Sequence, residues 1–91
     1  MSTIEWLKEL ALAPGVSGFE SAVKKLLSEK LADICEHDYD GIGSIIFTLK
    51  GKQEGPKVMI AAHMDEVGFM VKHITADGYL KFTCIGGWWD Q

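Results

Sequence analysis

The hydrophobic period of this chain changes once, near Cys35, and that change limits what it can fold into. Upstream of it, Phe19, Ala22, Val23, Leu26, Leu27, Leu31 and Ile34 recur at i, i+3, i+4 and i+7 spacing, with Lys24, Lys25, Ser28 and Glu29 on the opposite side. That is one apolar stripe on an amphipathic helix. Before it, Ile4, Leu7, Leu10 and Ala11 mark a shorter helix that Pro14-Gly15 stops. Both helices carry start signals of the capping-box form, Ser2-Thr3-Ile4-Glu5 and Ser17-Gly18-Phe19-Glu20. Downstream the period is 2. Cys35 to Tyr39 and Ser44 to Leu49 read as strands joined by the turn Asp40-Gly41-Ile42-Gly43. Lys52 to Pro56 is a polar loop, and Val58-Met59-Ile60-Ala61-Ala62 is a continuous apolar run of the kind a strand buried on both faces shows. Val67 to Ile74 and Tyr79 to Ile85 follow as strands, with Asp77-Gly78 as a hairpin turn.

Helices followed by strands predict an α/β fold, with two N-terminal helices packed on a mixed β-sheet. A sheet that contains a fully buried strand needs cover on both faces, and two helices cover one. The expectation is therefore an incomplete piece of an α/β domain, with Trp88-Trp89 as the start of packing that continues elsewhere.

Composition excludes several classes of function. The chain has 91 residues, 47% hydrophobic and 24% charged, which is the balance of a folded protein and not of a disordered tail. Its net charge is −4 and it contains no arginine, so it lacks the planar fork that reads phosphates and guanine edges. Nucleic acid is not an expected partner. No apolar run is long enough to span a bilayer, and Glu5 and Glu9 fall where a signal peptide would be basic and then apolar, so neither a membrane nor export is expected. Cys35 and Cys84 lie far apart with no CxxC spacing and are expected to be reduced, buried thiols of a cytoplasmic protein.

The segment that can carry chemistry is Ala61-Ala62-His63-Met64-Asp65-Glu66-Val67-Gly68. It puts a histidine at the carboxyl end of the apolar run, where open α/β sheets place their sites. One ring nitrogen of His63 can ligate a metal while a carboxylate such as Asp65 holds the other, fixing the tautomer. From the spacing alone, a strand-end histidine hydrogen-bonded to a loop is the simpler reading. His37, among Glu36, Asp38 and Asp40, and His73, between Val71 and Thr75, read as solvated strand residues. The free amides of Gly15-Val16-Ser17-Gly18 could hold an anion, but a helix cap explains that loop more simply. HExxH, P-loop, GxGxxG and GxSxG patterns are absent from the sequence.

Taken in order, the segments resemble the N-terminal part of the M42 family of metallo-aminopeptidases, which includes glutamyl aminopeptidases and proteins labelled cellulase M or endoglucanase. Ala13-Pro14-Gly15-Val16-Ser17-Gly18-Phe19-Glu20 resembles the family's "gvSGfE" approach to its second helix. Asp40-Gly41-Ile42-Gly43-Ser44 resembles its "D-x-lGN" turn, with Ser44 where asparagine is more usual. The stretch from Gly55-Pro56-Lys57 through His63-Met64-Asp65-Glu66-Val67-Gly68 to Val71 is similar to the signature strand pair. Ile74, Gly78, Phe82 and Ile85-Gly86-Gly87-Trp88 match the hairpin beyond it.

The resemblance implies that His63 is a ligand to one of two catalytic divalent ions, zinc or cobalt, and that Asp65 is the catalytic-site carboxylate that orients it. It implies that residues 1–91 are the N-terminal part of the catalytic domain, ending near the start of an inserted β-rich domain that builds oligomers. The other ligands and the glutamate base come later in longer members of the family. In the whole enzyme, paired ions activate a water, polarise the scissile carbonyl and anchor the free amino terminus of a peptide substrate. One histidine falls short of the three protein ligands a catalytic site needs, so the 91-residue chain is expected to be inactive and to bind metal weakly. Two other readings remain: a non-catalytic interaction or scaffold protein that keeps the fold, and a glycoside hydrolase, which needs two carboxylates flanking a glycosidic bond.

Overall fold

In the computed structural model, residues 2–89 are described. Asp90 and Gln91, which follow the tryptophan pair, lie outside them. The chain order is α1 (Thr3–Leu12), α2 (Ser21–Leu31), β1 (Glu36–Tyr39), β2 (Ile45–Thr48), β3 (Gly68–Ile74) and β4 (Leu80–Ile85). The two helices and small antiparallel sheets make an α/β chain.

Helix α1 starts as its sequence predicts. Ser2 Oγ accepts from Glu5 N–H at 3.3 Å and Ser2 N–H donates to the Glu5 carboxylate at 2.6 Å, closing a capping box. That bond from the Ser2 backbone holds the Glu5 carboxyl below its ordinary pKa, with the Ser2 hydroxyl adding to the effect. Helix α2 starts differently. Its N-cap is Glu20, which makes no side-chain cap bond, so Ser17 is not a cap residue and Phe19 precedes the helix. The helices are tied where Lys30 Nζ lies 2.6 Å from Glu9 and 5.2 Å from the centroid of the Trp6 ring.

The strands form two separate antiparallel hairpins, not one mixed sheet. In the first, Glu36 faces Thr48 and Tyr39 faces Ile45. Asp40 closes its turn by accepting from Ile42 N–H at 3.0 Å and Ser44 N–H at 2.7 Å. In the second, Gly68 faces Ile85 and Ile74 faces Leu80, with one irregularity between Val71 and His73. Its turn is closed by Thr75 Oγ1, which accepts from Tyr79 N–H at 2.9 Å, and by Gly78 at φ 90°, a conformation glycine adopts without a Cβ clash.

The apolar run 58–62 is not a strand. Val58, Met59 and Ile60 are 84%, 89% and 92% exposed. Its composition asks for cover on two faces, and among the described residues nothing pairs with it. The two hairpins stay separate for the same reason, since this run is the element expected to lie inside the sheet. The expected packing of helices on a mixed sheet is absent with it.

The core is correspondingly small. Val23, 5% exposed, is the one buried hydrophobic side chain among the described residues, while Ile4 and Leu7 of the α1 stripe stay exposed. The accessible surface is 8305 Å2, against about 5,200 Å2 for a compact chain of this mass. The radius of gyration is 17.8 Å, where a closed globule of this length has about 12 Å. Cys84, expected to be buried, is exposed because the hairpin face it occupies has no cover; Cys35 is half-buried, and both are free thiols. Trp88 finds its own packing. It stacks on Phe69 at 4.3 Å between ring centroids and donates its Nε1–H to Gly68 O at 3.1 Å, whereas Trp89 is 90% exposed.

Candidate metal-ligand site

The best-held junction outside the hairpins joins the loop before α2 to the strip that follows the apolar run. Val16 and Glu66 form a parallel bridge, and Glu66 N–H donates to Gly15 O at 2.8 Å. Gly15 N–H donates in return to the Glu66 carboxylate at 3.4 Å. The two segments approach too closely for side chains. A Cβ on Gly15 would lie 2.9 Å from Val23 Cγ2 and 3.3 Å from Met64 O, and one on Gly68 would lie 2.5 Å from Val16 Cγ2.

This junction places His63 and Asp65 side by side. His63 Nδ1 is 3.0 Å from Asp65 Oδ1 and 3.1 Å from Asp65 O. An ionised carboxylate and a carbonyl can only accept, so Nδ1 carries the proton, and in the neutral imidazole the lone pair is on Nε2. This is the state of a histidine ready to ligate through Nε2. Asp65 Oδ2 accepts from the Ser17 hydroxyl in a short hydrogen bond. Ser17 is the main cause holding the Asp65 carboxyl below its ordinary pKa; desolvation opposes the shift and His63 adds to it. Asp65 thus stays ionised at neutral pH, as a partner for an imidazole N–H must.

His63 and Asp65, paired by their spacing, lie in contact; the contact of Ser17 with Asp65, 48 residues away, is hidden by the capping-box spacing of Ser17 to Glu20. The flanking glycines were the available signal, since Gly15 marks a close backbone approach. His37 and His73 are exposed strand residues away from this strip. His37 sits at the edge of Tyr39, with centroids 5.5 Å apart, in the manner of a surface residue.

An open groove of about 750 Å3 is lined by Val23, Leu27, Ile45 and Phe47 together with His63 and Asp65. Among the described residues, no three His, Cys, Asp or Glu side chains converge to hold a metal ion. The donor set therefore fits one oriented ligand and falls short of a complete metal centre.

A helical pair and strand hairpins presenting an oriented imidazole beside a carboxylate define an α/β chain with a ligand-competent histidine. The sequence profile described as M42 glutamyl aminopeptidase matches residues 43–91, and this chain belongs to that family. It is 48% identical over 89 residues to FrvX of Escherichia coli (strain K12), covering 97% of this chain and 24% of that protein. It is 42% identical over 88 residues to the lysyl aminopeptidase of Pyrococcus furiosus, covering 92% of this chain and 25% of the relative. Among solved structures, a TET aminopeptidase from a marine-sediment Thaumarchaeota archaeon superposes with a TM-score of 0.84 at 41% identity, covering 94% of this chain and 24% of that one. PhTET1-12s, a dodecamer in its crystal's asymmetric unit, superposes with a TM-score of 0.81 at 36% identity over 96% of this chain and 26% of its own. The chain thus spans about a quarter of the length of the relatives it matches.

Proposed function

We propose that this chain is the N-terminal part of a dinuclear-metal aminopeptidase, in which His63 ligates one of two divalent ions through Nε2 and Asp65 orients it. The observation that carries the reading is the His63–Asp65 pair at 3.0 Å, in a chain whose relatives include lysyl and glutamyl aminopeptidases. When bound, paired divalent ions such as zinc or cobalt supply Lewis acidity and a nucleophile at neutral pH. This chain's own part is narrower. Asp65 accepts a hydrogen bond from Nδ1–H, directs the imidazole, and raises the basicity of the ligating nitrogen. The further ligands and the proton-transferring base belong to residues beyond these 91.

The same reading assigns residues 1–91 to the catalytic α/β domain, peptides with a free amino terminus as substrates, a cytoplasmic location and a homo-oligomeric state. The membership of PhTET1-12s in a dodecamer supports the last, and no helix among the described residues is long and apolar enough to cross a membrane. A glycoside hydrolase is the weaker alternative. Its two carboxylates would have to face a sugar, whereas Asp65 is committed to Ser17 and His63, and Glu66 to the Gly15 amide.

The test is a chimera in which this chain replaces the matching first quarter of the Pyrococcus furiosus lysyl aminopeptidase. With zinc or cobalt it should release N-terminal residues from peptides, and His63→Ala should lower that activity by at least about a hundredfold. A chimera that folds and keeps its activity after His63→Ala contradicts the assignment.

A further inference from the structure

The orientation of His63 has an unusual dependence. Its side chain is 85% exposed, and among the described residues the ring is held by the Asp65 carboxylate and carbonyl. Asp65 is itself 39% exposed and has a short side chain that rotates freely about its last bond unless both oxygens are held. One oxygen faces His63; the other is held by the Ser17 hydroxyl.

Ser17 is delivered to that oxygen by the backbone. The Val16–Glu66 bridge and the paired Gly15–Glu66 bonds lock the loop alongside the strip. Phe19 N–H then donates to Val16 O at 2.8 Å, turning the chain immediately after Ser17, with Gly18 at φ 86°. The hydroxyl is not needed for helix α2, whose N-cap is Glu20 and whose first turn receives no Ser17 bond. Gly18 N–H is instead taken by Glu20 Oε1 at 2.7 Å. A serine in capping position that does not cap, and that bonds a carboxylate 48 residues away, is committed to that carboxylate.

We infer that Ser17 is a positioning residue for the metal-ligand histidine. Acting through Asp65, it fixes the carboxylate plane, and so the Nδ1–H tautomer and the direction of Nε2. The inference rests on the reading of His63 as a ligand, yet it concerns the metal-free chain and is measurable without activity. The roles are distinct: His63 would meet the metal, Asp65 meets His63, and among the described residues the Ser17 side chain bonds Asp65.

The experiment is nitrogen NMR of 15N-histidine-labelled chain at about pH 8, where imidazole is neutral. The His63 signals are assigned among the three histidines with His63→Ala. The wild-type ring should be chiefly Nδ1–H. Ser17→Ala should lower the ratio of Nδ1–H to Nε2–H by about fivefold, the effect of one net hydrogen bond. Ser17→Thr, which keeps the hydroxyl, should restore it. Amide exchange at Glu66 reports whether the loop remains docked, and it should be unchanged in both variants. A Ser17→Ala chain with the wild-type ratio overturns the inference. A lowered ratio that Ser17→Thr does not restore, or that accompanies exposure of the Glu66 amide, also overturns it, because loop displacement is then the cause. Either result leaves the His63→Ala chimera test standing, so the two ideas fail separately.

Discussion

Residues 58–62 and 64–68 are adjacent in sequence, and their fates differ. The first run is the most apolar in the chain and is nearly fully exposed, with Ile60 at 92%. The second contains Asp65 and Glu66 and is hydrogen-bonded to the loop before α2 at residues 15–17. Hydrophobicity favours burial but does not supply a partner; backbone complementarity and two carboxylates do. Among the described residues, the strip that holds Asp65 and Glu66 is therefore tied to its neighbour, and the apolar run is left without cover.

The largest expected consequence is association. An apolar run with free backbone groups is a template for another strand, and the surface carries far more exposed apolar side chains than a settled monomer. Sedimentation at micromolar concentration should show dimers or larger species, and Met59→Lys with Ile60→Lys should shift them towards monomer. A monomer that unfolds cooperatively with protected tryptophan fluorescence would break the contrast between the two segments.

Next in size is the junction itself. Gly68→Ala places a methyl group 2.5 Å from Val16 Cγ2, and valine cannot swing aside as a longer side chain could. The cost should be about 1–3 kcal/mol, read as faster exchange of the Glu66 amide with the β3–β4 turn unaffected. Equal protection of Glu66 in the variant would show that the loop is not held by this close approach.

The smallest effect separates the two hairpins. Ser44, through its hydroxyl and then its amide, holds the Asp40 carboxyl below the ordinary value of 3.8, with the Ile42 and Gly43 amides adding to it and desolvation opposing it. A depressed carboxyl contributes stability that is present above its unfolded pKa and lost as pH falls through the folded one. The β1–β2 turn should therefore loosen below about pH 4, seen as faster exchange of Ser44 N–H after allowing for the intrinsic rate. The β3–β4 turn, closed by the Thr75 hydroxyl, should not follow it. Both turns loosening together would mean a global acid transition.

Much of this was legible in the sequence because it is local. The Ser2–Glu5 cap, the Asp40 turn and the Asp77-Gly78 hairpin are each decided by a few neighbouring residues, and all three formed as expected. The His63–Asp65 contact was legible for the same reason, as the two lie two residues apart. Ser17 was not. Its spacing to Glu20 is that of a capping box, and only the tertiary approach at Gly15 shows that its hydroxyl is used elsewhere. The apolar run misled in the opposite sense. Val58 to Ala62 reads as a strand buried on both faces, but composition supplies no partner, and among the described residues the run is unpaired and exposed. The single mixed sheet failed with that run.

Whether the described residues offer zinc a single oriented imidazole or a complete site is decided by zinc calorimetry on the 91-residue chain. Affinity should be about millimolar or weaker, reduced further by His63→Ala, with no stoichiometric zinc left after dialysis. Tight one-to-one binding would contradict it, since a second ligand set, drawn from residues such as His37 or His73 across two copies, would then have to exist.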